Sequence, residues 1–371
     1  MTPKERLLAS IAGKEIDHFS WSPNLAYWWE HSDDSIVNMG EIGFLKSIGA
    51  DPLIRGHYAY APGSRSWDNM MLYDVSYDGG CSVRETVDGN TKHVVYETPV
   101  GQLVFTYIYS ESGNTWFLKE HGVKEEEDFA TLAYLKDHTV LTPNYERFER
   151  ESAQLGEEGL MVPILTPDLK SSFQAMVEYW VGTEGIVYAV YDYPEAVEEA
   201  LAAMRRLNMR AVEICAASSA QCLLTWEDSS TTNISPDFYE TYIAPEINDW
   251  CEALHKAGKY YIQHACGHLN QLMPIMARTG IDCIESISPP PTGNIEVWDA
   301  RAQLPDRIAL IGGIEAVNFL SLSVTELKAY VEELVSRMSH TPYVLANSDS
   351  CPPYVELEKF RMIGELVKNV R

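Results

Sequence analysis

From residue 221 onward the sequence alternates between short apolar runs and longer amphipathic ones, and this period limits the fold more than any other feature. QCLLTWED (221–228) reads as a buried strand with a polar end, and Ser235 N-caps a helix that follows over 236–256. KYYIQHACG (259–267) is a strand and turn, followed by a helix through LNQLMPIMARTG that Gly280 closes. IDCIESIS (281–288), RIALIGGI (307–314) and PYVLANSDS (342–350) are further strands. The helices IEVWDARAQL and VTELKAYVEELVSRM separate them, and VELEKFRMIGELVKNV is a last helix. Strands that recur every 25–40 residues or so, each followed by a helix, are parallel βα units.

More strands are expected upstream, in HFSWSPN (18–24), near residues 51–55 and in LMVPILTP (160–167). The sequence therefore predicts an α/β protein, a (β/α)8 TIM barrel, as one domain over 1–371. An open doubly wound sheet is the alternative, weakened because no Gly-rich dinucleotide loop follows any strand. Residues 80–120 break the period. SVRETVDGNTKHVVYETPVGQLVFTYIYS alternates apolar and polar, with Asp88-Gly89 as a hairpin turn signal. This is an expected antiparallel insertion over one barrel end, as a lid or an interface element.

A chain of 371 residues, 46% hydrophobic, buries a large core without disulfides. Its seven cysteines are odd in number and irregularly spaced, as thiols in a reducing compartment are. Cys215, Cys222 and Cys283 sit among apolar neighbours and read as small core residues. The 28 basic and 54 acidic residues give a net charge of −26, which disfavours nucleic acid and anionic membranes as partners. MTPKERLLASIAGKEIDHF has no apolar signal-peptide region, and no window has the apolar length of a membrane span. The expectation is a cytoplasmic protein.

Chemistry concentrates at the expected strand ends. His264 and Cys266 close one strand, and Cys351 lies just past the last. In a barrel the strand C-termini meet at one face, where active sites are built. One imidazole and two thiolates suit zinc, with a fourth position open to substrate. A core histidine with two buried cysteines is the other reading. Glu227 and Asp228 end a strand at the same face and are candidates for catalytic proton handling. Glu227 is also a candidate displaceable fourth ligand. Asp349 ends a strand there too, and His268 follows His264 by one helical turn; capping and surface roles are equally open for these. Tyr27, Trp28, Trp226 and Tyr354 are the candidate lining of a substrate pocket. Packing beneath the insertion is their other reading.

The segments HACGHLNQLMPIMARTGIDCIES, RIALIGGI and ANSDSCPP, with the opening PKERLLASIAGKEIDHF and the helix IAPEINDWCEALHKAGKYYIQHACG, resemble the uroporphyrinogen decarboxylase superfamily. The resemblance spans nearly the whole chain and is strongest over 221–362. Its His-x-Cys…Cys pattern, here His264-Ala265-Cys266 and Cys351, is similar to the zinc-dependent, corrinoid-linked methyltransferases of that superfamily, such as the methylcobamide:coenzyme M methyltransferases. The resemblance implies zinc at these three residues and a cobalamin (corrinoid) carried by a partner corrinoid protein. It also implies methyl transfer between a small molecule and cobalt, with a homodimer as the family's guess. Zinc would act as Lewis acid on a donor, an aryl methyl ether being one (O-demethylation), or would hold an acceptor thiol as thiolate. The decarboxylase itself grips its many-carboxylate substrate with an Arg-rich N-terminal stretch. Here FSWSPNLAYWWE has no arginine, and Arg55 is the first one after it. A metal-free decarboxylase-type enzyme and a non-catalytic barrel with structural zinc are the competing readings.

Overall fold

The computed structural model describes residues 1–111, 115–368 and 370. Two compact units emerge, one from residues 1–72, 145–164 and 216–371, the other from 73–144 and 165–215. The first is the barrel. Leu53–Arg55 pairs in parallel with Leu160–Val162, and Ile164 bridges onward to Leu224. Cys222–Trp226, Tyr260–His264, Cys283–Ile287, Ala309–Ile314 and Tyr343–Asn347 follow in sequence order, each parallel to the next. Trp21 closes the ring. It bridges Leu345 in parallel on one side, and its carbonyl accepts from Asp51 N–H (2.8 Å) on the other. The TIM barrel expected from the sequence is therefore present, and ring closure removes the open sheet.

The inward residues explain why these runs are strands. Leu53, Leu160, Val162, Cys222, Leu224, Ile262, Cys283, Ala309, Ile311 and Val344 share one buried cluster, as period-2 alternation in a barrel requires. Leu7 and Ile11 join that cluster from the helix Pro3–Ile11. Thr2 and Glu5 form a capping box at its start, so the helix that seals the lower end is itself fixed.

Outside the strands the sequence is less reliable. Ser235 caps as expected, its Oγ accepting from Phe238 N–H at 3.1 Å. The helix it opens is not uniform, however: Tyr239–Ile243 is a π turn between Pro236–Phe238 and Ala244–Lys256. Of the helix expected over LNQLMPIMARTG only Met273–Met276 forms, because Pro274 lacks an N–H and is tolerated only in a first turn. The Ser323–Glu326 capping box starts Val324–Met338, as the pattern indicates.

The second unit holds the insertion. It is larger than one hairpin: Ser82–Asp88, Thr91–Thr98, Gly101–Ser110 and Thr115–Glu120 form a four-stranded antiparallel meander. Asp88 pairs with Thr91 around the expected tight turn, where Gly89 has φ +57°. A separate antiparallel pair, Tyr73–Tyr77 with Thr139–Pro143, and the helix Pro194–Ala217 accompany it. Among the described residues no helix is long and apolar enough to cross a membrane.

Candidate metal centre

The upper ends of the barrel strands carry polar side chains where their lower ends carry aliphatic ones. The switch is local. Ile262 points into the apolar cluster, and His264, two residues on, points into the mouth. His264 Nε2 lies 3.5 Å from Asp228 Oδ1, and the same oxygen lies 3.5 Å from Cys266 Sγ. These three are the one group of His, Cys, Asp and Glu among the described residues with the proximity a metal ion needs: one ligand atom from each lies within 4.8 Å of the others.

Local backbone features place each member. Glu227 and Asp228 N–H both donate to the His264 carbonyl, at 3.0 and 3.2 Å, tying the two strand ends together. Asp228 has φ +46°, a strained conformation that Asp tolerates better than most residues. Ala265 N–H donates to Glu285 O, and Gly267, at φ +83°, turns the chain immediately after Cys266. A side chain at Gly267 would meet Ser230 Oγ at 2.8 Å.

A buried clamp stands behind His264. Glu285 Oε2 is 3.2 Å from His264 Nδ1, and Arg55 Nη1 donates to Glu285 Oε1 at 2.5 Å. Burial alone would raise the Glu285 carboxyl, but Arg55 and His264 outweigh it and bring it down to about 2. Burial likewise opposes the His264 imidazolium, yet Cys266, Glu285 and Asp228 hold His264 well above its ordinary value. Burial raises the Cys266 thiol, an effect His264 partly offsets. This donor set of imidazole, thiol and carboxylate is of the kind zinc takes.

The remaining sequence candidates are distributed unevenly. Cys351 is fully buried but outside the Asp228–His264–Cys266 group, with Sγ 3.7 Å from Pro352 O. Its backbone explains this: Cys351 N–H donates to Asn24 O, and Cys351 O accepts from Trp28 N–H, so the loop is held toward the 24–28 segment. Glu227 is completely buried, and its electrostatic neighbours are Tyr239 and Tyr261 of the helix-facing layer. Asp349 is an electrostatic neighbour of His264, Asp228 and Glu285. His268 N–H donates to Ser230 Oγ, which makes it part of the turn after Cys266.

Trp28 is a core residue. It packs on Phe44 and Phe360 and donates from Nε1 to Val355 O, so the pocket-lining expectation does not describe its surroundings. Tyr27 and Tyr354 are 53% and 79% exposed. Trp226 does stand beside the centre, 6.5 Å from the His264 ring between centroids, in edge contact with Trp67. Gly56 makes room for it, since a Cβ there would meet the indole at 2.5 Å. Glu285 and Trp67 escaped the sequence reading. For Glu285 a signal existed: it is a charged residue in the apolar run IDCIESIS, two positions from inward-facing Cys283.

The family model for uroporphyrinogen decarboxylase (URO-D) matches residues 165–370, more than half of the chain. The chain belongs to the uroporphyrinogen decarboxylase family. Its fold is similar to that of a methyltransferase from Methanosarcina mazei, with a TM-score of 0.60 and 13% identity over 99% of this chain and 98% of that one. A B12-independent methionine synthase from Shewanella sp. W3-18-1 shows a weaker likeness, with a TM-score of 0.45 and 9% identity over 95% of this chain and 98% of that one. No curated protein matches the chain in sequence. In this member of the uroporphyrinogen decarboxylase family, Asp228, His264, Cys266, Glu285 and Arg55 all belong to the barrel unit.

Proposed function

We propose that this chain is a zinc-dependent methyltransferase that moves a methyl group between a small molecule and the cobalt of a corrinoid protein. The observation that carries the reading is the convergence of His264, Cys266 and Asp228 at the upper end of the barrel. Family membership and the fold shared with a protein described as a methyltransferase support it.

His264, Cys266 and Asp228 are the donors the geometry brings together; His264 and Cys266 are the ligands, with Cys351 as the third implied by the resemblance. A zinc ion bound there would supply a Lewis acid to the leaving atom of a methyl donor, or keep an acceptor thiol ionised. The chain's own residues do the rest. Glu285 orients the His264 ring from Nδ1, which leaves Nε2 facing the mouth. Asp228, 3.5 Å from that Nε2, is the proton-handling group in preference to Glu227, which lies among tyrosines on the helix side. Trp226 offers a flat apolar wall beside the centre, which suits a methoxylated aromatic ring as donor. In that direction the methyl carbon–oxygen bond breaks, a carbon–cobalt bond forms, and the leaving oxygen takes a proton.

The test is methylation of cob(I)alamin by the zinc-loaded chain from a panel of methoxylated aromatics, followed by its visible spectrum. The expected result is methylcobalamin from at least one donor, abolished in Cys266→Ala. Zinc-loaded protein that transfers methyl in neither direction, from donors or to thiols, would overturn the reading.

A further inference from the structure

Arg55 stands on a different strand from His264, and its contacts lead to the centre. Arg55 is 4% exposed, and its guanidinium is held on two sides. Nη2 donates to Ser22 O at 2.8 Å and to Ser22 Oγ at 3.2 Å. Nη1 donates to Glu285 Oε1 at 2.5 Å. The other oxygen of Glu285 is the one facing His264 Nδ1. One guanidinium thus connects the Trp21–Ser22 segment, its own strand Leu53–Arg55, the strand Cys283–Ile287 and, through Glu285, the strand that ends in His264.

The backbone directly after Glu285 is distorted. Pairing between Cys283–Ile287 and Ala309–Ile314 slips between Glu285 and Ile287, a bulge. Ser286, within it, has φ +78°, an unfavourable conformation for a serine. Gly312 accommodates the slip opposite, at φ +135°; a Cβ there would lie 2.9 Å from Ile287 O. Glu285 itself stays in register with Ile311 and faces the barrel interior by the same alternation as Cys283, and the bulge begins directly after it. A buried carboxylate aimed inward without a cation would be costly, and Arg55 supplies the cation.

We propose that Arg55 is a positioning residue: it holds Glu285 so that one carboxylate oxygen is fixed on His264 Nδ1 and Nε2 is dedicated to the metal side. This rests on the reading of His264 as a metal ligand, and the proton on His264 Nδ1 reports on Arg55 separately from metal binding. Arg55 acts only through Glu285. Partners one step behind a metal-binding histidine typically change metal affinity by about 10- to 100-fold.

The experiment uses full-length wild type, Arg55→Met, Arg55→Lys, Glu285→Gln and the double variant Arg55→Met/Glu285→Gln. Two readouts are taken: the exchange-protected His264 Nδ1–H proton in metal-free protein by nitrogen-15 NMR, and zinc affinity by competition with a chelator. Arg55→Met is expected to lose the protected proton and to bind zinc about 10- to 100-fold more weakly. Arg55→Lys, which keeps the charge but not the fork, falls between it and wild type. In the Glu285→Gln background, Arg55→Met is expected to have no further effect on zinc. Retention of both the proton and the affinity in Arg55→Met would overturn the proposal, as would an undiminished loss on top of Glu285→Gln. If Arg55→Met fails to fold, the double variant, which leaves no unpaired charge, is compared with Glu285→Gln alone. Equal zinc affinities support the proposal and a further loss contradicts it. If wild type binds no zinc, the metal reading fails by itself and the protected proton still decides the role of Arg55.

Discussion

Arg6 and Arg55 are both buried, and each lies 2.5 Å from a carboxylate oxygen, at opposite ends of the same barrel. At the lower end Arg6 donates to Asp51, to Asp17 through Nε and Nη2, and to Met1 O. The second oxygen of Asp51 accepts from Ser20 Oγ. Every group in that network ends on a structural partner. At the upper end the second oxygen of Glu285 goes to His264, whose imidazole is the side-chain type that most often ligates metals. The electrostatics diverge accordingly. Burial raises Asp51 and is not overcome, whereas Arg55 and His264 overcome it at Glu285. A buried ion pair is therefore not in itself a mark of function; what distinguishes the two is where the spare oxygen points.

Breaking the lower pair gives the largest expected change in stability. Arg6→Met leaves Asp51 buried without its cation, at a cost of about 3–5 kcal/mol. Urea unfolding should show this as a lower midpoint, with zinc content unchanged. Loss of zinc in that variant would mean that the two ends are not independent. At the upper end Glu285→Gln should add a second effect. Zinc affinity falls by about 10- to 100-fold, equivalent to about 1.4–2.7 kcal/mol of binding, a loss Arg6→Met does not share, and the unfolding midpoint falls as well because Arg55 is left buried without its carboxylate.

Two glycines sharpen the contrast. Gly13 (φ +64°) and Gly56 (φ +74°) both have left-handed backbone, so Ala at either costs about 1–2 kcal/mol. At Gly13 a Cβ would stay 3.5 Å from any neighbour, but at Gly56 it would strike Trp226 at 2.5 Å. Gly56→Ala should therefore lose more stability than Gly13→Ala and alone perturb tryptophan fluorescence at the mouth. Equal losses and unchanged fluorescence would show that the indole is not held there. The smallest effect belongs to Tyr354→Ala, within about 0.5 kcal/mol, because its ring is mostly in solvent.

The strands of the lower barrel were readable in sequence because one physical rule governs them: alternate residues face an apolar interior, and Leu224, Ile262 and Val344 obey it. The same period places Asp228, His264 and Cys266 at strand ends of one face, so all three members of the candidate centre were readable, though not that they meet. Asp228 reaches the site through a strained φ that no propensity encodes. Arg55 and Glu285 are 230 residues apart and meet only because the barrel closes. Trp28 shows a related ambiguity. An aromatic after a strand suits a pocket or a core equally, and packing against Phe44 and Phe360 decides for the core.

The central claim is that the upper end of the barrel holds one zinc on His264 and Cys266. Metal analysis of purified, zinc-supplemented wild type beside Cys266→Ala, Cys351→Ala and Asp228→Asn tests it most directly. The account predicts about one zinc per chain in wild type and none in Cys266→Ala; a greater loss in Cys351→Ala than in Asp228→Asn assigns the third ligand to Cys351, and the reverse assigns it to Asp228. Wild-type protein without zinc, or Cys266→Ala with its full complement, would contradict it.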